Sequence, residues 1–456
     1  MERRKLWGVI LAGSILILCI IAGCFWNSAK EIILGAGILF SSLVLWSTEA
    51  MPMSITTMLM ICVLAITNIM AFHESVAQIG VNTSLFIMAS SGITIAVGAS
   101  RIPQILSKII ISKTNGNSKG MIIGIGLLIS LCSAFMSSLA TCALFNGILL
   151  PLLRKNHYEP KKSNLGKCLM IAIPACAGIG GFMSPAGTPA NILLLDMLSD
   201  NNINISFSQW CAIGFPIGII ATVIFLISLV ISFPPEQLRL VKTDDRSEEE
   251  KMTATDIKTI IIVGLIILLW FISGWIQTFN TTLIAVIGLS IMFMPGISLL
   301  NWEKFSKGVN WDLVITMGTV SVLMTGIART GLMSSLSGEI MRWVTQMPAL
   351  LSLIVLSISI CIIRSFIPTT NAVVALLAPM LIEISHSLNQ DVLGLLFILA
   401  FWTASALLLV YTEPIYLITY GNQYYKGTDL LKAGFVPCIL LSIITAAVIP
   451  WISSFI

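Results

Sequence analysis

Residues 119–153 read KGMIIGIGLLISLCSAFMSSLATCALFNGILLPLL, an apolar segment that is interrupted near its centre by Ser137-Ser138 and then by Thr141. A helical span across a lipid bilayer needs roughly 20 apolar residues, so this segment is too long for one span. A bent backbone at membrane depth is tolerated only where protein or a water-filled cavity covers it. The segment therefore predicts a helical hairpin that enters the membrane and turns back.

A second segment, residues 348–386, has the same character. Its apolar run is interrupted by Arg364-Ser365 and by Pro368-Thr369-Thr370-Asn371. An ionisable group at membrane depth is costly and is a functional hypothesis by default. Arg364 is one such group and Glu413 is another, and the two could also form a buried ion pair. We predict a second re-entrant hairpin over this segment.

The composition of the whole chain supports a membrane protein. Hydrophobic residues make up 57% and charged residues 10%, a balance that is far from that of a water-soluble domain. Further spans are predicted near 6–26, 32–47, 52–70, 84–107, 168–198, 207–233, 257–276, 281–300, 310–333, 392–420 and 429–455. The predicted fold is an all-α polytopic membrane protein with about 11 transmembrane helices and two re-entrant hairpins.

The distribution of basic residues predicts the orientation. Lys and Arg next to spans favour the cytoplasmic side, and most of the 25 basic residues fall on one side if both segments are re-entrant. The outer loops then keep Lys30 and Arg342, with Arg329 near a helix end. We expect a multi-pass protein of a bacterial plasma (inner) membrane with its N-terminus inside and its C-terminus outside. The net charge of +4 implies no nucleic-acid partner.

An internal repeat is predicted by shifting the second half onto the first by 228 positions. This shift aligns Val81-Asn82 with Val309-Asn310, and in both halves a span, a broken hairpin and further spans follow. The hairpins enter from opposite sides, which makes the repeats inverted, an architecture of secondary transporters. The predicted domains are 1–107 (scaffold), 108–233 (mostly transport), 234–256 (cytoplasmic linker), 257–345 (scaffold) and 346–456 (mostly transport).

Two further motifs carry a resemblance to a known family. Trp46–Pro52, followed by Thr56-Thr57, is similar to the Thr-Glu-Ala-x-Pro signature of the divalent anion/sodium symporters, and Ser184–Asn191 resembles their Gly-Thr-Pro-x-Asn helix break. The resemblance covers nearly the whole chain. It implies a homodimer that imports dicarboxylates, citrate or sulfate with sodium, by an elevator movement of a transport domain against a scaffold.

The same resemblance implies the site residues. The family carries Ser-Asn-Thr at each hairpin turn, whereas this chain has Ser137–Thr141 without asparagine at the first and Thr370-Asn371 as the nearest match at the second. The expected substrate-binding residues are Ser137, Ser138, Thr141, Thr188, Pro189, Arg364, Thr369, Thr370, Asn371 and Thr412. The expected sodium ligands are Ser138, Gly187, Asn191 and Asn371.

The second helix break departs from the family, because Tyr411-Thr412-Glu413-Pro414 stands in place of Gly-Thr-Pro. Glu413 could hold a proton instead of sodium, and Arg364 could supply a fixed positive charge. One sodium site is therefore expected more strongly than two, and no other metal. The alternatives are a sodium-independent exchanger or a proton symporter. A membrane-embedded enzyme is disfavoured, since HExxH and paired intramembrane Asp are missing from the sequence.

Overall fold

The computed structural model describes residues 2–26, 29–48, 50–77, 79–114, 117–237, 252–273, 280–332, 334–335, 338, 346–367, 370–388 and 391–453. These residues form helices joined by turns. The helices are α1 (Glu2–Phe25), α2 (Lys30–Thr48), α3 (Met53–Ile66), α4 (Phe72–Ala77), α5 (Val81–Ala99), α6 (Ile102–Lys113), α7 (Ser118–Ser133), α8 (Ser138–Lys155), α9 (Asn164–Phe182), α10 (Pro189–Asp200), α11 (Phe207–Ser232), α12 (Ala254–Ile272), α13 (Thr281–Phe293), α14 (Trp302–Gly308), α15 (Trp311–Arg329), α16 (Ala349–Phe366), α17 (Thr370–Leu388), α18 (Val392–Ala404), α19 (Pro414–Tyr420) and α20 (Gly427–Ser453).

Many of these helices suit a membrane. Within the described part of the chain, eight segments are long and apolar enough to cross a bilayer, and six shorter helices are also apolar. The helices differ in how far they are buried. In the most apolar stretch of α9, 94% of the residues are buried, whereas the share is 17% in the segment Lys5–Phe25. The prediction of an all-α polytopic membrane protein is confirmed, with α9 as its central helix.

Both predicted hairpins are helix-turn-helix units. The first is α7 and α8, joined at residues 134–137, and in the second α16 ends at Phe366 and α17 begins at Thr370. Pro368 and Thr369 lie outside the described residues. Each turn coincides with a polar cluster, because the hydrogen-bonding groups that a turn leaves free need polar or aqueous surroundings.

Three predicted spans are interrupted. The predicted span 168–198 divides into α9 and α10 around residues 183–188, and the span 392–420 divides into α18 and α19 around residues 405–413. Each second helix begins with a proline, whose missing N–H costs nothing at that position. The span 84–107 is also wrong as one helix, because α5 ends at Ala99 and α6 restarts with a proline in its first turn.

The order of elements repeats between the halves, but the single 228-residue shift does not hold. Helices α5 and α15 begin at 81 and 311, α7 and α16 at 118 and 349, and α8 and α17 at 138 and 370. Asn310 caps α15, since its side chain accepts the Leu313 N–H at 3.1 Å, whereas Asn82 lies inside the first turn of α5. The identical residues that this shift aligns, such as Asn82 and Asn310, therefore do not occupy equivalent positions in the two halves.

The helices form two groups that meet along a seam. Helices α1, α2, α3, α5, α13 and α15 pack on one another, and α7 to α11 pack with α16 to α20. Across the seam α5 contacts α8 and α10, and α15 contacts α10 and α17. The hairpin turns and helix breaks of the second group face this seam.

Candidate substrate and cation site

A cavity of about 510 Å³ lies at the seam. Both hairpin turns and both helix breaks contribute to its wall, together with α5 and the N-cap of α15. We call the N-cap and first turn of α8, Ser137–Thr141, together with the break at residues 183–188, the first half-site. The second half-site comprises Arg364, Thr370-Asn371 and the break at residues 405–413.

The turn of the first half-site is held by hydroxyl groups. Ser133 Oγ and Ser138 Oγ both donate to the carbonyl of Ala177 on α9, at 2.6 and 3.0 Å. Ser137 is the N-cap of α8, but its hydroxyl makes no capping bond and lines the cavity. The N-terminus of α8 is therefore fixed while the Ser137 hydroxyl is not used for capping.

The break of the first half-site is held by an amide. Asn191 Nδ2 donates to the carbonyls of Gly181 and Ser184, both at 2.8 Å, and its Oδ1 is buried without a hydrogen-bond partner among the described residues. Gly187 has no room for a side chain, because a Cβ would lie 2.5 Å from the Gly181 carbonyl oxygen and 2.9 Å from that of Ser133. The unwound backbone thus packs directly against α7 and α9.

The second half-site is built around a buried guanidinium. Arg364 Nε donates to the Thr403 carbonyl at 3.0 Å, and its Nη1 donates to the carbonyls of Ile367 at 2.8 Å and Thr412 at 3.1 Å. The side chain is 1% exposed. Arg364 therefore joins the end of α16 to both ends of the second break.

Glu413 completes this cluster. Its carboxylate forms an ion pair with Arg364 Nη2, and Thr370 Oγ1 lies 3.4 Å from both side chains. Glu413 is the residue before Pro414 at the start of α19, and its side chain is 19% exposed on the cavity wall. The corresponding position in the first half-site is Thr188, before Pro189.

The structure brings most predicted site residues together. Those lining the cavity are Ser137, Ser138, Gly187, Thr188, Pro189, Thr370, Asn371 and Glu413. Behind this wall, and buried, lie Thr141, Asn191, Arg364 and Thr412. Thr141 Oγ1 has no hydrogen-bond partner among the described residues, and Thr412 Oγ1 donates to the Leu409 carbonyl at 2.7 Å. Thr369 lies outside the described residues.

Sequence reasoning missed the polar face of α5. Ser90, Ser91 and Thr94 line the cavity, and Thr94 Oγ1 accepts the Ser137 N–H at 3.2 Å across the seam. Asn310 lines the cavity as well. A signal was available, because Ser90 and Thr94 are four positions apart in an apolar helix and must share a face.

Comparisons with known proteins agree with this architecture. A family model described as citrate transporter matches residues 43–401 and also residues 275–454. An uncharacterised transporter of Haemophilus influenzae is 24% identical over 429 residues, which are 91% of this chain and 90% of that protein. The sodium-dependent dicarboxylate transporter SdcS of Staphylococcus saprophyticus is 26% identical over 427 residues, which are 86% of this chain and 80% of that protein.

Other similar proteins differ in name or cover less. The inorganic phosphate transporter PHO87 of Saccharomyces cerevisiae is 21% identical over 76% of this chain, which spans only 38% of that relative. Among solved structures, the YdaH transporter of Alcanivorax borkumensis superimposes with a TM-score of 0.57 at 13% identity, over 84% of this chain and 87% of that one. This last likeness concerns the fold.

The family match spans most of the chain, and the relatives bear the names of transporters rather than enzymes. The resemblance that residues 46–52 and 184–191 predict is therefore confirmed at the level of the family. The protein is a multi-pass membrane transporter, and it belongs to the citrate transporter family.

Proposed function

We propose that this transporter carries a small divalent anion of the dicarboxylate, citrate or sulfate class. The observation that carries the proposal is the cavity in which both hairpin turns and both helix breaks converge. An anion that leaves water needs donors to replace its hydration, and serine, threonine, asparagine and backbone N–H groups are available there. The N-termini of α8, α10 and α17 add partial positive charge.

Sodium is the proposed coupling ion, with one site in the first half-site. Sodium needs oxygen ligands, and the break at residues 183–188 offers unwound carbonyls. The buried Oδ1 of Asn191 is an oxygen without a donor, and Ser138 and Gly187 lie in the same half-site. The relative named as a sodium-dependent dicarboxylate transporter supports this choice. In the second half-site the N–H groups of Arg364 already donate to the backbone carbonyls. Asn371 is therefore proposed as a substrate ligand and not as a sodium ligand.

The proposed movement is that of an elevator. Residues 108–233 and 346–456 would form the transport domain, which slides against a scaffold of residues 1–107 and 257–345 in a homodimer. The two-group packing of the helices, with the cavity at the seam, supports this division. We place the protein in a bacterial plasma membrane, with the N-terminus and the 234–256 linker in the cytoplasm.

A sodium-independent exchanger is the second candidate. The observation that favours it is Arg364, whose permanent charge could stand in for a coupling cation. Glu413, which stands where the family has Gly-Thr-Pro, favours a proton symporter, because its carboxyl group could hold a proton in place of sodium.

The test is uptake of radiolabelled succinate, citrate, sulfate and phosphate into proteoliposomes. Each anion is offered with a sodium gradient, with choline in place of sodium, and with unlabelled anion preloaded inside. We expect sodium-driven uptake of at least one anion, reduced about tenfold in Asn371→Ala because a donor to the substrate is lost. Ser290→Ala, on an exposed face of α13, is the matched control. Uptake that occurs only into preloaded vesicles would favour the exchanger. No uptake of any anion would contradict the proposal.

A further inference from the structure

Among the described residues around this cavity, Arg364 and Glu413 are the one ion pair. Among the described residues that line the cavity, Glu413 alone has a titratable side chain. The guanidinium of Arg364 lies directly behind it and is closed off from the cavity. Any anion that reaches for this positive charge must first compete with a carboxylate of the protein itself.

We infer that Glu413 is an internal counter-anion for Arg364, which lets the empty carrier return across the membrane and so permits net transport instead of obligatory exchange. The inference rests on the proposed anion transport. It specifies what that proposal leaves open, which is how the second half-site balances its charge in each state.

The empty state is balanced by the ion pair. The carbonyls of Thr403, Ile367 and Thr412 solvate Arg364, but these neutral groups leave its charge in place. A lone cation moved through the hydrocarbon region is opposed by a large desolvation cost. The carboxylate of Glu413 cancels the charge, so the empty second half-site is neutral and can reorient without cargo.

The loaded state is balanced by a proton. When a substrate carboxylate approaches Arg364, two carboxylates share one guanidinium, and such pairs do not both stay ionised at close range. We assign the proton to Glu413, which takes it from the compartment that supplies the anion. The loaded site then holds a divalent anion, one sodium ion, the positive Arg364 and a neutral Glu413, and these charges sum to zero.

Among the described residues, the other charged groups on the elements around Glu413 lie elsewhere. Arg154 and Lys155 are in the last turn of α8, Lys167 on α9 pairs with Asp429, and Glu383 on α17 accepts a hydrogen bond from Ser334. The titratable groups close to Glu413, besides Arg364, are the thiols of Cys142 and Cys176 and the phenols of Tyr411 and Tyr416. Thiols and phenols are neutral near pH 7 unless their environment favours the ion. The exchangeable proton is therefore placed on Glu413.

The experiment compares two modes of transport in wild type and Glu413→Gln. Net uptake is measured into empty proteoliposomes, and exchange is measured into vesicles preloaded with the same anion. The variant keeps the size of the side chain but leaves Arg364 uncompensated when the site is empty. We expect net uptake to fall by about 100-fold while exchange stays within about threefold of wild type. The pH dependence of exchange should also disappear.

Glu413→Asp is the matched control, because it keeps a carboxylate at the same backbone position. It should retain net uptake and its pH dependence, at a reduced rate. The inference is overturned if Glu413→Gln keeps net uptake, or if it lowers net uptake and exchange by the same factor. It is also overturned if wild type performs only exchange, whereas wild type that moves none of the anions would contradict the proposed function itself.

Discussion

The two half-sites are made of the same elements but hold their backbones by different means. In the first, the hydroxyls of Ser133 and Ser138 and the amide of Asn191 bind backbone carbonyls, and every group is neutral. In the second, the guanidinium of Arg364 binds the carbonyls and Glu413 neutralises it. A turn facing a broken helix can thus be stabilised either by neutral donors or by an internal cation.

This difference between the half-sites predicts where the coupling ion binds. The first half-site keeps a buried oxygen without a donor at Asn191, so it can accept a cation. In the second half-site the carbonyls already receive the N–H groups of Arg364. A second sodium ion would have to displace a permanent charge, and we therefore expect sodium in the first half-site only.

The largest effect is expected from Arg364→Met. The substitution removes the donor from the carbonyls of Thr403, Thr412 and Ile367, the first two of them buried, and leaves Glu413 without its partner, which should destabilise the protein by about 3–5 kcal/mol. Uptake should fall below detection. Thermal unfolding of the purified protein and uptake are the measurements, with the exposed Arg154 changed to Met as the control. Wild-type stability in Arg364→Met would mean that the second half-site does not depend on its internal cation.

The next effect is expected from Gly187→Ala. The added Cβ would meet the backbone of Gly181 and Ser133 at 2.5 to 2.9 Å, and backbone cannot move aside as a flexible side chain can. We expect a loss of stability of about 1–3 kcal/mol and sodium-driven uptake reduced about tenfold or more. Gly147→Ala is the control, because a Cβ there meets nothing within 4 Å. Equal behaviour of the two variants would contradict the tight packing of the first break.

A paired substitution sharpens the comparison further. Asn191→Ala removes two hydrogen bonds from the first break, whereas Asn371→Ala removes an amide from the cavity wall of the second half-site. We expect the sodium concentration for half-maximal uptake to rise about tenfold in Asn191→Ala alone. The substrate KM should rise by a similar factor in Asn371→Ala. If both variants changed the sodium dependence, the half-sites would not be specialised.

The smallest effect is expected outside both half-sites, at Glu236. Burial by itself raises the pKa of this carboxyl, but N–H groups of Leu165 and Asn164 at 2.8 and 2.7 Å outweigh it and lower the pKa. A lowered folded-state pKa contributes stability above the ordinary carboxyl pKa, and that contribution is lost as the pH falls through the folded value.

Glu236→Gln should therefore lower the melting temperature by a few degrees at pH 7, with the gap to wild type closing on acidification. Thermal unfolding of both proteins across this pH range is the measurement. Transport per folded protein should stay unchanged. A gap that widened in acid would contradict the assignment of the charge to the N-terminus of α9.

The sequence predicted which segments form the site better than it predicted which residues of the two repeats are equivalent. Polar clusters inside apolar runs, such as Ser137-Ser138 and Thr370-Asn371, indicate interrupted helices, and in the structure they lie at the starts of α8 and α17. Arg364 and Glu413 stood out as charges at membrane depth, and the structure places them in contact. These features follow from local sequence and the properties of the bilayer.

The remainder depends on tertiary packing. Thr94 reaches the first hairpin only because α5 crosses α8 at the seam, and no local pattern states that contact. The repeat shift failed because turns of different length separate equivalent helices, so chance matches such as Asn82 with Asn310 carried weight. The interruption of the span 84–107 had a visible signal in Pro103, because a proline is tolerated in the first turn of a helix but breaks a hydrogen bond in its interior.

The most direct test of the account is the number of sodium ions transported per anion. It can be measured in proteoliposomes, with the membrane potential clamped at zero and the anion and proton gradients fixed, as the sodium gradient at which net flux of the transported anion reverses. One sodium ion per anion is the predicted result, since Arg364 replaces the second cation. A ratio of two sodium ions, or flux that is independent of sodium, would contradict the assignment of a neutral, sodium-binding first half-site and an internally charged second one.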